Sequence, residues 1–504
     1  MVWKASSGGR ICTGGKHEKG SVRIKVLLST PPGRTTEKWP PLGLLYIASN
    51  VRRETKHEVS VVDAFCENLS REELLQRIVK DSPDMVGMNC STHTFLDTIG
   101  TLKDVSERLP DSKIILGGYH ATFASDRILR DYPFVKLIVK GEAEFAMVKL
   151  LNHLEKDEPL DDVDGISFIR DGQLVNNPIS LLPDLDALPF PDRSLVSNVE
   201  YGYSHEGIPL TFGKFTTIST SRGCPFKCTY CSCAAFSLRK WRTRSAENVV
   251  QELEMLDDEG YESVTVVDDN FTHNPKRAER ICELIREKGI KMQFYCEGRV
   301  DSATPQLMRT MKKAGFNVMY FGAESACERT LEYYKKQISA EKTKRAIENA
   351  RNAGMIVITS YIVGAPVETR EDIQQTIDFI HDNRPHAIQM NILDCLIGTS
   401  IWSDLEAQGV VKGDDWRTNH RVYEYFNTMS REELENLVDE GYAQWLKGWY
   451  SKEGLKDILK VLYKNKTARW VVFKNLFNPN VRKRISEGMS AFGSKNTEGE
   501  SAAT

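Results

Sequence analysis

The chain has 504 residues, and its 67 Lys and Arg against 70 Asp and Glu give a net charge of −3. Hydrophobic residues make up 40% of the chain and charged residues 27%, which argues against a small disulfide scaffold or a strongly basic nucleic-acid-binding protein. The sequence contains no apolar run long enough to span a membrane and no apolar segment near its start. Its 11 cysteines therefore predict reduced thiols and a metal site in a cytoplasmic protein rather than disulfides.

The first part of the chain predicts a flexible tail followed by an α/β domain. Residues 1–21 are rich in Gly, Ser and Lys, and residues 22–155 alternate short apolar strands with amphipathic helices. This alternation predicts a doubly wound, Rossmann-like parallel sheet that binds its ligand beyond the carboxyl ends of the strands. The predicted strands are RIKVLLST (23–30), EVSVVDA (58–64), MVGMNC (85–90), KIILGG (113–118) and KLIVKG (136–141).

The second part predicts a linker, a partial barrel and a helical end. Residues 156–215 contain a small hairpin, GISFIRDGQLVNN, and a Pro- and Asp-rich linker. Six further strand–helix units over residues 216–410 predict a partial (β/α)6 barrel, short of the eight units of a closed one. Residues 411–504 predict a helical region with a loose end. The predicted barrel strands are TTIST, SVTVVD, KMQFYCE, NVMYFGAE, IVITSYIVG and AIQMNILDC.

A cysteine cluster directly after the first barrel strand is the strongest chemical signal. The segment SRGCPFKCTYC places Cys224, Cys228 and Cys231 in a C-x3-C-x2-C pattern, and Cys233 offers a further thiol. Three thiolates can hold three irons of a four-iron cluster and leave the fourth iron open for chemistry. A zinc knuckle or a chance cluster of buried thiols is the alternative, but no second ligand pair follows at suitable spacing.

The segment CPFKCTYC, with the aromatic Tyr230 before its last cysteine, resembles the signature of the radical S-adenosylmethionine superfamily. The resemblance implies that Cys224, Cys228 and Cys231 bind a [4Fe–4S] cluster whose open iron chelates the amino and carboxylate groups of S-adenosylmethionine. It also implies that one electron cleaves the sulfonium to a 5′-deoxyadenosyl radical. Tyr230 is a cofactor-binding candidate.

Three other segments extend the resemblance over about 200 residues in the expected order. VVDDNF resembles the methionine-binding segment of the family, with Asp268, Asp269 and Asn270 as candidates. FGAES resembles the fourth-strand motif, in which Glu324 would approach the bound ligand, and IVGAPVETREDI resembles a common stretch after the fifth strand.

Each of these smaller motifs has a structural alternative. Asp268 and Asp269 could cap the following helix, and Glu324 could pair with a nearby Lys or Arg. Arg299 in CEGRVD could anchor a carboxylate of the cofactor or form an ion pair at the barrel bottom.

The N-terminal domain resembles the cobalamin-binding domain that precedes the barrel in one large branch of the superfamily. The resemblance rests on PPLGLLYIAS, GGYHATF, GEAEF and the PDLDALPFPDR linker. No G-x-G-x-x-G or P-loop motif supports a dinucleotide or nucleotide site. Small and hydroxyl residues at the strand ends allow a large ligand to approach the backbone. The cobalamin-binding candidates are Ser91, Thr92, Gly117, Gly118, Gly141 and Glu142.

One departure concerns the cobalt ligand. Classical cobalamin domains carry a D-x-H-x-x-G loop, whereas this chain reads DAFCENL after its second strand. Many members of the radical branch also lack this histidine, so cobalamin remains the expected cofactor. His93 and His120 are interpreted as structural residues. The alternative is a Rossmann-like domain that kept the fold and lost the ligand.

Residues 452–484 carry a large excess of Lys and Arg, with apolar residues at helical spacing. This pattern fits either a basic amphipathic surface that contacts anionic lipid or a helical cap over the barrel mouth with solvated lysines. No RNA-binding module is recognisable.

The resemblance therefore implies a cytoplasmic, oxygen-sensitive enzyme that works anaerobically with a [4Fe–4S] cluster, S-adenosylmethionine and cobalamin. It would abstract hydrogen from an unactivated carbon of a small molecule, and methyl transfer from methylcobalamin would follow. An alternative is a non-methylating cyclase, ring-contraction or rearrangement enzyme acting on a lipid or tetrapyrrole, and a third is a non-catalytic cobalamin or iron–sulfur regulator. Flavodoxin or ferredoxin is the expected electron donor, and no nucleic-acid partner is expected.

Overall fold

A computed structural model describes residues 23–33, 35, 38–205, 208–211, 213–418, 428–464 and 469 of the chain. The tail predicted over residues 1–21 and most of the basic segment 452–484 lie outside these residues. The described chain forms two large sheets with helices around them and two small two-stranded ones, and this confirms the predicted α/β fold class.

The first sheet has seven strands in the order β2-β1-β3-β4-β5-β6-β7, of which β1 to β5 are parallel. The strands are β1 (Lys25–Ser29), β2 (Glu58–Val62), β3 (Met85–Asn89), β4 (Lys113–Gly117), β5 (Val135–Val139), β6 (Ile166–Arg170) and β7 (Gln173–Asn176). The helices are α1 (Leu42–Glu54), α2 (Arg71–Asp81), α3 (Phe95–Arg108), α4 (Tyr119–Phe123), α5 (Ser125–Asp131) and α6 (Glu144–Lys156).

The strand order of this sheet determines where a ligand can bind. The chain runs outward from β1 to β2 and then returns to the other side at β3, which is the doubly wound arrangement with a crevice at the point of reversal. The strands β6 and β7 form the hairpin over GISFIRDGQLVNN and continue the sheet antiparallel to β5. The division of the chain at residues 155, 215 and 410 stays a prediction.

The second sheet contains six parallel strands in sequence order, as expected for a partial barrel. The strands from the linker onward are β8 (Ser204–His205), β9 (Ile208–Pro209), β10 (Phe215–Ile218), β11 (Ser221–Arg222), β12 (Arg242–Thr243), β13 (Ser263–Val266), β14 (Gln293–Gly298), β15 (Phe316–Glu324), β16 (Ile356–Val363) and β17 (Ala387–Ile392). The helices are α7 (Cys233–Phe236), α8 (Ala246–Asp258), α9 (Pro275–Glu287), α10 (Pro305–Lys313), α11 (Glu328–Tyr333), α12 (Ala340–Ala353), α13 (Arg370–Asn383) and α14 (Ser400–Ala407).

The two faces of the barrel strands bury different clusters. One face packs under the helices, for example through Val264, Phe294 and Met319. The other face carries an aromatic cluster in the barrel interior, where Tyr203 of the linker packs with Tyr295 of β14. Because successive side chains of a strand point to opposite faces, the side chains of each barrel strand alternate between the helix side and the interior.

Two further helices follow the barrel, α15 (Arg431–Tyr450) and α16 (Lys452–Lys464). Ser430 and Glu433 form a capping box that begins α15, and Leu434 and Leu437 of this helix pack on residues of α13 and β17. Within the described residues, no helix has the length and apolar character needed to cross a membrane.

Candidate active site

The three cysteines lie on a loop that begins after β11, a short strand following the first barrel strand β10, and ends at α7. The loop is tied down at both ends, because the Gly223 amide donates to Asp269 at 2.9 Å and the Thr229 amide donates to the Tyr334 carbonyl at 3.0 Å. Gly223 has φ of +83° and its α-carbon faces the backbone of Lys240, so no side chain fits there. The local backbone therefore presents Cys224, Cys228 and Cys231 at the barrel mouth.

The thiols share one electrostatic environment. Burial raises the pKa of Cys224 to about 11 and also raises that of Cys228, and both thiols feel the charge of Cys231. The hydrogen bond from Cys233 lowers the pKa of Cys231 to about 7. Metal binding would hold such buried thiols as thiolates.

A cluster fits this spacing better than a single ion does. Among the described residues, no three His, Cys, Asp or Glu side chains converge closely enough to hold one metal ion. The thiolates of a [4Fe–4S] cluster each bind a different iron and so lie further apart than the ligands of one ion. The donor set of three thiols on one loop fits a cluster with an open iron.

Asp268 acts as a brace for the start of this loop. It is only 2% exposed and accepts hydrogen bonds from the Thr220 amide (2.6 Å), the Thr220 hydroxyl (2.5 Å) and the Ser221 hydroxyl (2.6 Å). Asn274, not Asp268 or Asp269, caps the following helix α9. The side chain of Asp268 therefore holds the strand end that precedes the cysteines.

Asp269 and Asn270 lie beside the cysteine loop. Burial raises the pKa of Asp269, which contacts Cys233 as well as the Gly223 amide. Asn270 is 1% exposed, and its amide nitrogen has no hydrogen-bond partner among the described residues. A buried amide without a partner costs stability unless a ligand or water satisfies it, so this position suits the polar groups of S-adenosylmethionine.

Glu324, Lys336 and Tyr230 form a buried hydrogen-bonded triangle. The Lys336 ammonium lies 2.6 Å from Glu324 and 3.1 Å from the Tyr230 hydroxyl, which donates to Glu324 at 2.8 Å. Burial alone would lower the pKa of Lys336, but the charge and hydrogen bond of Glu324 together with the charge of Cys228 raise it overall. The sequence left open an ion pair between Glu324 and a Lys or Arg, and Lys336 is that partner. Tyr230 of the cysteine loop hydrogen-bonds to both members of the pair.

Arg299 lies at the barrel mouth rather than at its bottom. Its guanidinium stacks over Phe226 of the cysteine loop at 3.8 Å, and it donates to Asp301 and to the Lys336 carbonyl, both at 2.9 Å. The Arg299 side chain thus packs against the cysteine loop and already forms an ion pair with Asp301.

A cavity of about 520 Å³ separates the carboxyl edge of the first sheet from the cysteine loop. Gly117, Gly118 and Gly141 line it together with Glu142, and Asp269 closes it on the barrel side. Glycines here leave the backbone open to a large flat ligand, and Gly118 also needs its φ of +91°. The open backbone suits the flat ring of a bulky cofactor such as cobalamin, and no histidine is among the described residues that line the cavity.

Ser91 and Thr92 are not brought to this cavity. Ser91 instead bonds to Thr94 within a turn, and Thr92 lies 3.1 Å from the His120 ring. His120 is buried against Phe95, which agrees with its interpretation as a structural residue.

Ion pairs join the two domains beside the cavity. Arg222, two residues before Cys224, lies 2.7 Å from Glu144 and 3.6 Å from Glu142 of the first domain. Arg242 also contacts Glu142 at 2.5 Å. These ion pairs therefore attach the start of the cysteine loop directly to a wall of the proposed cobalamin cavity.

An aromatic contact crosses the same joint. Tyr119 lines the cavity, stacks on Phe236 at 4.2 Å and places its hydroxyl 3.9 Å from Cys233.

The sequence does not identify Tyr119 or Lys336 as candidate site residues. Lys336 follows Glu324 by twelve residues without a motif, and only its position in the fold makes it a partner.

The comparisons with known proteins match this geometry. Residues 218–380 match the model of the Radical SAM superfamily, and residues 33–151 match the model of the B12 binding domain. The chain is 30% identical over 463 residues to an uncharacterized methyltransferase of Pyrococcus horikoshii, covering 87% of this chain and 99% of the relative. It is 27% identical to the anaerobic magnesium-protoporphyrin IX monomethyl ester cyclase of Cereibacter sphaeroides, covering 73% of this chain and 61% of the relative.

A solved structure has the same overall fold. The cobalamin-dependent S-adenosylmethionine radical enzyme OxsB, with aqua-cobalamin and S-adenosylmethionine bound, aligns with a TM-score of 0.68 at 16% identity, covering 95% of this chain and 81% of that chain. The two matched domains imply a [4Fe–4S] cluster, S-adenosylmethionine and cobalamin as cofactors. The chain belongs to the radical S-adenosylmethionine superfamily, in the branch with an N-terminal B12-binding domain.

Proposed function

We propose that the protein is a cobalamin-dependent radical enzyme that transfers a methyl group to an unactivated carbon of a small-molecule substrate. When bound, the cluster and S-adenosylmethionine supply a 5′-deoxyadenosyl radical, and methylcobalamin supplies the methyl group. The observation that carries the proposal is the meeting of the cysteine loop and the glycine-lined cavity at one joint, where Asp269 borders both.

We assign the sequence candidates to roles around this joint. The cluster ligands are Cys224, Cys228 and Cys231. Asp269, Asn270 and Glu324 bind S-adenosylmethionine, while Asp268, Tyr230 and Arg299 hold the loop or Glu324 in place. Gly117, Gly118, Gly141 and Glu142 form the cobalamin wall, and Ser91 and Thr92 support the loop after β3.

Burial of the joint serves radical chemistry. A primary carbon radical reacts with solvent or exposed side chains, so the site must exclude water. The neighbouring Arg222–Glu144 and Arg242–Glu142 pairs keep the two domains together beside the cavity. A second cavity of about 550 Å³ borders Tyr230 between β17 and α15, and we assign it to substrate entry.

A non-methylating cyclase is the second candidate. It is favoured by the similarity to the cyclase of Cereibacter sphaeroides, whose substrate is a tetrapyrrole. The two reactions differ in product mass, because methylation adds one CH2 whereas cyclisation removes hydrogen.

A lipid substrate would fit peripheral membrane contact through the basic C-terminal segment. We place the enzyme in the cytoplasm with flavodoxin or ferredoxin as electron donor.

The test is cofactor content and S-adenosylmethionine cleavage after anaerobic production with cobalamin supplied. The proposal expects a [4Fe–4S] cluster and one cobalamin per chain, with 5′-deoxyadenosine released on reduction. A cluster without cobalamin would contradict methyl transfer from methylcobalamin. An intact cluster and bound cobalamin without cleavage would instead indicate a regulatory protein.

A further inference from the structure

Glu297 lies inside the barrel and has no role in the assignments above. It belongs to β14, on which Phe294 and Cys296 pack under the helices. Strand alternation therefore turns Tyr295 and Glu297 to the interior, and Tyr295 is indeed part of the interior aromatic cluster. Glu297 is the next interior residue towards the barrel mouth.

The groups that face Glu297 are acids and hydroxyls. Asp269, after β13, and Glu324, on β15, both act on it electrostatically. The Tyr295 hydroxyl donates to it at 3.5 Å, and Tyr320 is its partner in register on β15.

The nearby Lys and Arg side chains already form ion pairs with other acids. Lys336 pairs with Glu324 at 2.6 Å, and Arg299 pairs with Asp301 at 2.9 Å. In the described part of the chain, no Lys, Arg or His lies within ion-pair distance of Glu297. Burial, followed by the charge of Asp269, raises the pKa of Glu297 to about 7. A carboxylate in this position is stabilised by a positively charged ligand.

We propose that Glu297 is a further S-adenosylmethionine-binding residue that supplies the counter-charge for the sulfonium. The inference rests on the proposed function. The amino and carboxylate groups of the ligand are expected on the open iron, so the sulfonium is the positive charge left without a partner. Asp269 and Glu324, which flank Glu297, are the residues assigned to the same ligand.

The experiment compares two probes that differ in this charge. S-adenosylhomocysteine lacks the methyl group and the positive charge of S-adenosylmethionine but keeps its other groups. Calorimetric titration of the anaerobically reconstituted full chain gives both affinities for the wild type and for Glu297→Gln. We expect the substitution to weaken S-adenosylmethionine binding about tenfold and S-adenosylhomocysteine binding less than about twofold.

The pH dependence provides a second readout. The Glu297 carboxyl ionises as the pH rises through about 7, so the preference of the wild type for S-adenosylmethionine should increase from about pH 6 to about pH 8. Taking the ratio of the two affinities cancels titrations that affect both probes alike. The ratio should change less with pH in Glu297→Gln, which lacks this carboxyl group.

Controls separate this inference from the proposed function. Asp258→Asn, on the exposed end of α8, should bind both probes as the wild type does. Equal losses of both probes in Glu297→Gln, or no loss of either, would overturn the role of Glu297. A wild type with an intact cluster that binds neither probe would contradict the proposed function itself and, with it, this inference.

Discussion

The carboxyl edges of the two parallel sheets bear different chemistry although the sheets are built alike. The first edge carries glycines around a cavity, including Gly117, Gly118 and Gly141. The second carries buried acids beside a cysteine loop, including Asp268 and Glu324. The same alternation of strands and helices therefore supports a backbone surface for a bulky ligand in one domain and a charged, thiol-rich site in the other.

The comparison also shows where the two edges depend on each other. One buried hydrophobic cluster runs from Val86 and Ile114 of the first sheet to Trp402 after the barrel. Beside the cavity, charged pairs and the Tyr119–Cys233 contact also join the two domains. Such a joint makes the position of the cysteine loop depend on the first domain.

The largest expected effect is the loss of the cluster at the second edge. Cys228→Ser removes one proposed ligand, so we expect loss of cluster iron and complete loss of S-adenosylmethionine cleavage. Iron content and the visible spectrum of the anaerobic protein measure this. Cys233→Ser is the matched control and should retain the cluster; its failure to do so would identify Cys233 as a ligand.

The next effect concerns the buried pair that supports the second edge. Lys336→Met leaves Glu324 buried without its cation, and we expect a loss of about 3–5 kcal/mol in the free energy of unfolding. Denaturant unfolding measures the loss. The double substitution Lys336→Met with Glu324→Gln should recover part of the stability, and a double variant no better than the single one would contradict this account.

The joint itself is expected to contribute less. Glu144→Gln weakens the contact with Arg222, which keeps Glu142, so we expect a loss of about 2 kcal/mol and faster release of cobalamin. The control is Arg23→Gln at the exposed Arg23–Glu58 pair, which should change stability by less than about 1 kcal/mol. Equal effects at both pairs would mean that the joint is not specially stabilised.

The smallest effect tests the first edge by filling its cavity. Gly43 lines the cavity in α1, and a β-carbon added there meets no atom within 4 Å. Gly43→Leu should lower cobalamin affinity about tenfold while stability is unchanged or higher, because leucine favours the helix. Spectroscopic titration with hydroxocobalamin measures the affinity. Gly43→Ala should bind nearly normally, and unaltered binding by Gly43→Leu would place cobalamin elsewhere.

Much of the fold follows from local sequence patterns. All eleven strands predicted from apolar runs are present in the two sheets, because burial on both faces demands such runs wherever the chain pairs in parallel. The cysteine loop is predictable for a similar reason: its three cysteines lie within eight residues, so the short spacing itself carries the signal.

The partners of the site residues were harder to predict. The sequence left open whether Asp268 and Asp269 cap helix α9, and in the structure Asn274 caps it instead. It also left open an ion pair at the barrel bottom for Arg299, which lies instead over Phe226 at the mouth. The roles of the site residues stay predictions, although their surroundings are now described.

The sequence alone determined the order of the two domains, the parallel sheets and the thiol spacing, because each is encoded by residues near one another in the chain. The tertiary structure decided which charges meet: Lys336 with Glu324, Arg222 with Glu144, and no cation with Glu297 in the described chain. Pairs of this kind join residues from different strands, loops or domains, and only folding brings them within a few ångströms of each other.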